Sequence, residues 1–466
     1  MLLGANQVVA VSPVAGTLLA GGRPPMEFRP SGPPSGPPSG PPSGHGRVDR
    51  TMTSLAFIHF PLGTERMPGF SQRLGRVEVA ASVAMTIKAR ELRAAGKNVI
   101  TLTTGEPNFD SPPHAIEAAH QAALAGDTKY PPQDGTVAFK KAIQAKFKRD
   151  SGIDYAMDEI CVGNGGKQVL FNAILATVDP GDEVVIPVPS WIAYAQMVQL
   201  CEGEPVFVTC PQNNGFKPRA EDIDAAITLK TKWLVLNSPN NPTGAVCTAD
   251  DLRAIAAVMR KHPHVWILCD DMYEHLIFGG FEHATMVQVA PDLKDRVLTV
   301  SGVSKTYAMT GWRIGFAGGP KALVKAMVNM QGQATAGIST VGMAAAVAAL
   351  NGPQDGAREQ SVAYRRRRDI AVEMLNASPG ISCHKPEGAF YVFPNVAGCL
   401  GKTTAGGRKL NNDEDVCLAL LEEQYVATVH GAAYHMSPYL RISTATADDD
   451  LVEGLKRIQT FCEGLH

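Results

Sequence analysis

The stretch SGVSKTYAMTGWRIGF, residues 301–316, follows the apolar run VLTV and sets Lys305 just past a buried strand, among small residues. A lysine in a partly desolvated pocket has a lowered pKa and can form a Schiff base with a carbonyl compound. Taken alone, a loop lysine is usually an exposed surface charge. Its neighbours change that reading. Arg313 is a fixed cation whose fork suits a phosphate. VGNGGKQVLFNAIL (162–175) reads as a strand, a glycine-rich turn and an apolar helix, so the amides of Gly165, Gly166 and Lys167 can face an anion at that helix's N-terminus. By itself a GG turn before a helix is usually just a turn. Together the three features suggest a phosphorylated aldehyde, bound covalently at one end and held by its anionic tail at the other.

Asp270 ends the run VWILCD, with Tyr273 three residues on. Such an aspartate can simply cap the following helix. It can also sit against a protonated pyridine nitrogen, with the phenol donating to the ring's 3-oxygen, and a charged ring is the better electron sink. NSPNNPTGAV (237–246) is either a proline-rich turn with one cis X–Pro bond or a device that puts the Asn241 amide on the same oxygen. In PVPSWIAY (187–194), Trp191 is a core or interface residue, or a plate over a flat ring. Arg441, on the strand-like YLRIST, is a solvated charge or a bidentate clamp for a carboxylate.

The elements that must position these residues are legible as runs. EICVGN, DEVVIPVP, PVFVTC, KWLVLNSP, VWILCDD, RVLTVSG and RIGFAGG alternate with helical stretches such as DLRAIAAVMRKH. That alternation predicts an α/β fold with a mostly parallel sheet between helices, and sites at the carboxyl ends of its strands. From about residue 355 the texture shifts to a long helix (YRRRRDIAVEML) and then GAFYVFP, VATVHG and YLRIST, strands of a smaller α+β domain. Near the start, Val79, Val83, Ile87 and Leu92 fall at helical spacing, with Gly96 where a C-cap belongs, and NVITLTTGEPNFDSPP reads as a strand entering a turn.

Residues 31–44 are SGPP repeats that cannot bury a core. Residues 1–66 are read as a disordered extension, a targeting segment, or sequence ahead of a later start such as Met67. The remainder divides into 67–115, a segment belonging partly to the small domain, 116–354, the large domain, and 355–466. The 466 residues are 45% hydrophobic and 19% charged with a net charge of −2, which points neither to nucleic acid nor to an anionic membrane. No apolar run is long enough for a transmembrane helix. The nine cysteines show no CxxC pair, so neither a metal site nor a disulfide framework is expected, and a reducing, cytoplasmic compartment fits.

With these residues in view, the chain resembles the class I, fold-type I aminotransferases that use pyridoxal 5'-phosphate. SKTYAMTGWRIGF is similar to the family's lysine signature, and GGKQ, NSPNNPTG, DDMYEHL, EGAFYVFP and LRIS follow in the family's order. The likeness covers about residues 67–466 and is nearest the bacterial aspartate and aspartate/prephenate branch. It implies a large domain with a seven-stranded sheet, and roles residue by residue. Lys305 holds the coenzyme and shuttles the proton. Asp270 pairs with the pyridine nitrogen, and Tyr273 and Asn241 hold the 3-oxygen. Arg313, Gly165, Gly166, Lys167 and Ser304 surround the phosphate, and Trp191 stacks near the ring. Arg441 and the Gly105 amide take the substrate carboxylate, with Trp191 and Asn241 alongside. Tyr130 reaches the phosphate in the other subunit of a homodimer.

The implied reaction is ping-pong transfer from aspartate to 2-oxoglutarate, through pyridoxamine phosphate, giving oxaloacetate and glutamate, with prephenate a candidate second acceptor. An aromatic or alanine-type donor, or a lyase on the same fold, is the rival reading. A regulator behind a DNA-binding module would need an N-terminal helix-turn-helix, where this chain has SGPP repeats. Many family members carry a hydroxyl three residues before the lysine; here it is Gly302, with Ser301 or Ser304 as candidate replacements. The resemblance assigns no residue to a second substrate carboxylate.

Overall fold

The structure is a computed structural model that describes residues 69–77 and 81–466. The SGPP repeats, Met67 and Val79 lie outside the described residues.

All seven apolar runs are strands of one sheet: β1 Ile160–Asn164, β2 Glu183–Val188, β3 Glu204–Thr209, β4 Thr231–Asn237, β5 Trp266–Asp270, β6 Val297–Gly302 and β7 Ile314–Gly318. Their spatial order is β1-β7-β6-β5-β4-β2-β3. Only β7 runs against its neighbours, pairing antiparallel with both β1 and β6. The apolar runs are continuous because both faces of the sheet are covered. Val185, Leu234, Leu236, Ile267 and Cys269 point into one hydrophobic cluster, and Val184, Ile186, Trp233, Val235 and Leu268 into another. The two-residue period of a strand sorts alternate side chains to opposite faces.

A third cluster gathers the C-terminal elements with the first helix, α1 (Ala81–Ala94). Gly96 closes that helix as expected. It sits at φ +80°, and the Lys97 N–H reaches back to the Leu92 carbonyl at 3.0 Å, a Schellman closure. Of the residues at that spacing, Leu92 packs against this cluster, but the others described do not. Val83 and Ile87 are each 49% exposed, whereas Met85 and Ala89 are buried. The spacing was helical, but it could not distinguish the face against the core from its neighbour one residue round.

The anticipated strand after residue 98 shrinks to Ile100–Thr101, paired in parallel with Val426–Ala427. The long C-terminal helix is Asp355–Asn376, and Tyr391–Val392, Val429–His430 and Leu440–Ser443 form a three-stranded sheet. Two cis bonds occur in the proline turn, Ser238–Pro239 and Asn241–Pro242, where one was expected. Among the described residues no helix is long and apolar enough to cross a membrane. All nine cysteines are free and buried.

Where β7 passes the start of helix α2 (Gly166–Leu175) the backbones almost touch. A Cβ at Gly315 would lie 2.2 Å from the Gly166 nitrogen, and one at Gly166 would lie 2.5 Å from the Met272 methyl. Gly315→Ala therefore forces β7 and α2 apart. Overpacking of this kind costs roughly 1–3 kcal/mol, and the clash is with backbone, so a loss at the upper end is expected in urea unfolding midpoints.

Candidate active site

The carboxyl ends of β4, β5 and β6 and the start of α2 share one edge of the sheet. β4 runs through Pro239 to Asn241, β5 stops at Asp270, and β6 stops three residues before Lys305. Because β7 is antiparallel, its beginning comes to the same edge and carries Arg313 with it.

The Lys305 ammonium donates to the Gly105 carbonyl and lies 5.9 Å from the centre of the Phe390 ring. Burial lowers its pKa to about 8. Glu106 opposes that shift, while Arg313 and Arg441 add to it. Asp270 is buried, and burial raises its carboxyl to about 6 against two bonds that favour the anion, from the Tyr194 hydroxyl at 2.6 Å and the Met272 N–H at 3.2 Å. The Tyr273 hydroxyl meets that of Tyr391 at 3.0 Å, and burial pushes the Tyr273 phenol well above its usual range.

Arg441 is buried. It donates to the Asn241 side-chain oxygen at 3.2 Å and to the Thr103 carbonyl at 2.5 Å, while its Nε has no partner. Its guanidinium lies between the Tyr391 and Tyr434 rings, at 4.7 and 5.2 Å. Arg313 is bonded only to carbonyls, those of Thr310 at 2.8 Å and Asn164 at 3.2 Å. Its Nη2 stands where a Cβ of Gly165 would be, and Gly165 has φ +78°. Lys167 holds its ammonium 4.9 Å from the Trp191 ring centre, and partial desolvation together with Arg313 lowers its pKa.

Thus Lys167, Lys305, Arg313 and Arg441 face one cleft, and among the described residues none of them has an ion-pair partner within 4.0 Å. Arg441 is buried and Lys305 is largely desolvated, whereas Lys167 and Arg313 stay exposed to solvent; for the first two, charge without a counter-ion is costly. The arrangement fits an anionic ligand, with a backbone cradle at Gly165–Gly166, a reactive amine in the middle and a carboxylate at Asp270. That donor set is what pyridoxal 5'-phosphate and an amino acid together require.

Of the predicted residues, Tyr130 is not brought in by its own chain; it is 93% exposed. Ser301 donates to Glu274 at 2.5 Å and is taken up there, which leaves Ser304, buried beside Lys305, as the candidate replacement. Gly302 has a steric reason. A Cβ there would lie 3.0 Å from the Ile314 carbonyl and 3.2 Å from the Met272 methyl, so Met272 fills the space a hydroxyl side chain would need. Behind the site Glu274, Asp150 and His275 draw together, but the Lys146 ammonium, 2.5 Å from Glu274, already fills that cluster with a cation. Sequence reasoning missed Tyr194, Tyr391, Thr103 and Glu106. Tyr194 and Tyr391 lie inside PVPSWIAY and EGAFYVFP, but their partners are 76 and 118 residues away.

The site and sheet define an anion-binding, amine-bearing enzyme cleft of the α/β class. The sequence model of the family "Aminotransferase class I and II" matches residues 97–458, and the chain belongs to that family. It is 49% identical over 404 residues to an aspartate aminotransferase of Rhizobium meliloti, covering 86% of this chain and 98% of that one. It is 51% identical over 399 residues to an aspartate/prephenate aminotransferase of Cereibacter sphaeroides, covering 86% and 100%. A crystal structure of a Rhizobium meliloti aspartate aminotransferase superposes with a TM-score of 0.83 at 49% identity, covering 85% of this chain and all of that one. A Thermus thermophilus aspartate aminotransferase with maleate does so at 0.79 and 39% identity, with the same coverage.

Because the folded-state pKa of Lys305 is lowered, its penalty is fully present below about pH 8. It fades as pH rises toward the unfolded lysine value near ~10.4. Lys305→Met should therefore stabilise the coenzyme-free protein at pH 7, by on the order of 1–3 kcal/mol. The gain should vanish near pH ~10.5, as thermal unfolding at the two pH values would show.

Proposed function

We propose that this aminotransferase moves the amino group of L-aspartate to 2-oxoglutarate, giving oxaloacetate and L-glutamate, with pyridoxal 5'-phosphate bound in the cleft. The observation that carries the reading is the set of three cations without ion-pair partners, Lys167, Arg313 and Arg441, gathered near the desolvated Lys305 and the buried Asp270. The names of the relatives, and the maleate in the Thermus protein, support a dicarboxylic substrate.

The coenzyme, when bound, supplies an aldehyde that accepts the donor's amino group and a ring that takes up the electrons of the broken C–H bond. The chain's residues do the rest. Arg313 and the amides at Gly165, Gly166 and Lys167 would hold the phosphate, with Ser304 nearby. Asp270 would stay ionised against the ring nitrogen. Tyr273 and Asn241 would hold the 3-oxygen; the Asn241 oxygen already accepts from Arg441, so its amino end faces outward to donate. Arg441, with a free Nε, would take the α-carboxylate beside the Gly105 amide. Trp191 would cover the ring and exclude water. Lys305, coenzyme anchor and general base, would then take the α-proton at Nζ. With a pKa near 8, a useful fraction of its amine is neutral at physiological pH.

Lys167 is the cation left over. Its ammonium beside Trp191, without a carboxylate partner, would meet the side-chain carboxylate of aspartate or 2-oxoglutarate. The exposure of Tyr130 fits a residue donated to a second subunit, making a homodimer with shared sites. Free buried cysteines agree with a cytoplasmic location.

Two expectations follow. Lys305→Ala should reduce turnover by at least ~10²–10⁴-fold, since general-base catalysis alone has that worth. In a donor panel with 2-oxoglutarate, Lys167→Met should cut kcat/KM for aspartate by roughly ten- to a hundredfold, the value of one charged hydrogen bond. Alanine, lacking the second carboxylate, should respond far less as a donor. Aspartate ranking among the poorest donors of the native protein would overturn the substrate assignment. Turnover with prephenate as acceptor would extend it.

A further inference from the structure

Tyr194 belongs to no signature used above, yet it touches two functional groups at once. It lies in the first turn of helix α3 (Ala193–Leu200) and is buried. Its hydroxyl donates to Asp270 Oδ2 at 2.6 Å, and its ring meets the Trp191 ring edge-on, with centroids 5.4 Å apart and planes at 89°. The Trp191 carbonyl also accepts the Tyr194 N–H, at 3.1 Å.

We propose that Tyr194 is a positioning residue for transamination: its hydroxyl keeps the Asp270 carboxylate ionised and oriented toward the coenzyme's ring nitrogen while its ring seats Trp191. The inference rests on the proposed role of Asp270, and it adds the group that sets how that carboxylate behaves.

The charge balance around Asp270 supports it. Desolvation pushes the carboxyl to about 6. The groups facing it are Tyr194 from α3, the Met272 N–H, Asp271 and Tyr273 from its own turn, and Lys305 from the loop after β6. Asp271 disfavours the anion and Lys305 favours it, but Tyr194 and the Met272 amide are its direct donors. Tyr194 cannot lose its own proton here, because burial and Asp270 raise its phenol well above the usual value. It is therefore a permanent donor. Without it, one direct donor remains on a carboxylate enclosed by β5, β6 and α3. The proton shared between Asp270 and a pyridine nitrogen would then shift toward Asp270, and the ring would lose charge.

The sign follows. A buried carboxyl loses a charge-assisted hydrogen bond in Tyr194→Phe, so its midpoint rises, by between about one and two pH units. Coenzyme that binds the ionised form is weakened most where the variant is protonated and the native protein is not.

The test has two parts. Carbon-13 NMR of Asp270, labelled at the side-chain carboxyl, would follow its titration in coenzyme-free native protein and in Tyr194→Phe. Pyridoxal 5'-phosphate binding would then be measured for both from pH 5.5 to 9, as a ratio of dissociation constants, so that the coenzyme's own ionisations cancel. The expected result is a raised Asp270 midpoint and a Kd ratio of about tenfold near pH 6, closing toward unity by about pH 9. Placing 3-fluorotyrosine, a more acidic phenol, at position 194 should move the midpoint the other way, and supplies the readout if the phenylalanine variant does not fold. An unmoved midpoint, or a Kd ratio indifferent to pH, would overturn the proposal. Native protein that bound no pyridoxal 5'-phosphate would instead sink the functional reading, whatever the Asp270 titration showed.

Discussion

The site is governed by uncompensated positive charge. Lys167, Lys305, Arg313 and Arg441 are drawn to one cleft by the sheet and by the strand carrying Arg441, and no carboxylate pairs with any of them among the described residues. Lys305 and Arg441 are desolvated there, with Lys167 and Arg313 at the exposed side, and like charges brought together in this way oppose folding. Such an arrangement is retained when a ligand brings the missing anions. Backbone carbonyls from Gly105, Thr103, Asn164 and Thr310 hold Lys305, Arg441 and Arg313 in place without neutralising them. Burial, with Arg313 and Arg441 adding to it, depresses the Lys305 pKa to about 8, which is what the proposed base at this position needs.

The second constraint is space. Arg313 can reach across the start of α2 only because residue 165 has no side chain, and β7 can lie against α2 only because Gly315 and Gly166 have none. The Met272 methyl then closes the gap facing Gly166 and Gly302. The departure of Gly302 from the hydroxyl common in the family is thus matched by a neighbour in the turn after β5. Arg313 itself takes a left-handed conformation, φ +58°.

Much of this was legible in the order of residues. Seven apolar runs became seven strands, because a strand buried on both faces must be apolar throughout. Lys305, Asp270, Asn241 and Arg313 stood out because their types are unusual at the ends of such runs, and the fold brings them to one edge of the sheet. What escaped notice was set by distance in the chain. Tyr194 and Tyr391 look like ordinary aromatics until the fold brings Asp270 and Tyr273 to them. Ser301 looked free to replace a missing hydroxyl, but Glu274, approaching from the neighbouring strand's turn, accepts its hydrogen bond. Val83 and Ile87 had helical spacing and still face outward, since periodicity fixes the helix and only packing chooses its buried face. Tyr130 stands clear of its own chain's cleft, where no intrachain contact could have placed it.

The central claim is that one amine, Lys305, forms the covalent bond to the coenzyme in this cleft. The most direct measurement is borohydride reduction of the native protein in the presence of excess pyridoxal 5'-phosphate, followed by peptide mass mapping. The account predicts a single phosphopyridoxyl group on the peptide that contains Lys305. A label carried by other lysines with Lys305 unmodified, or no label at all, would contradict it.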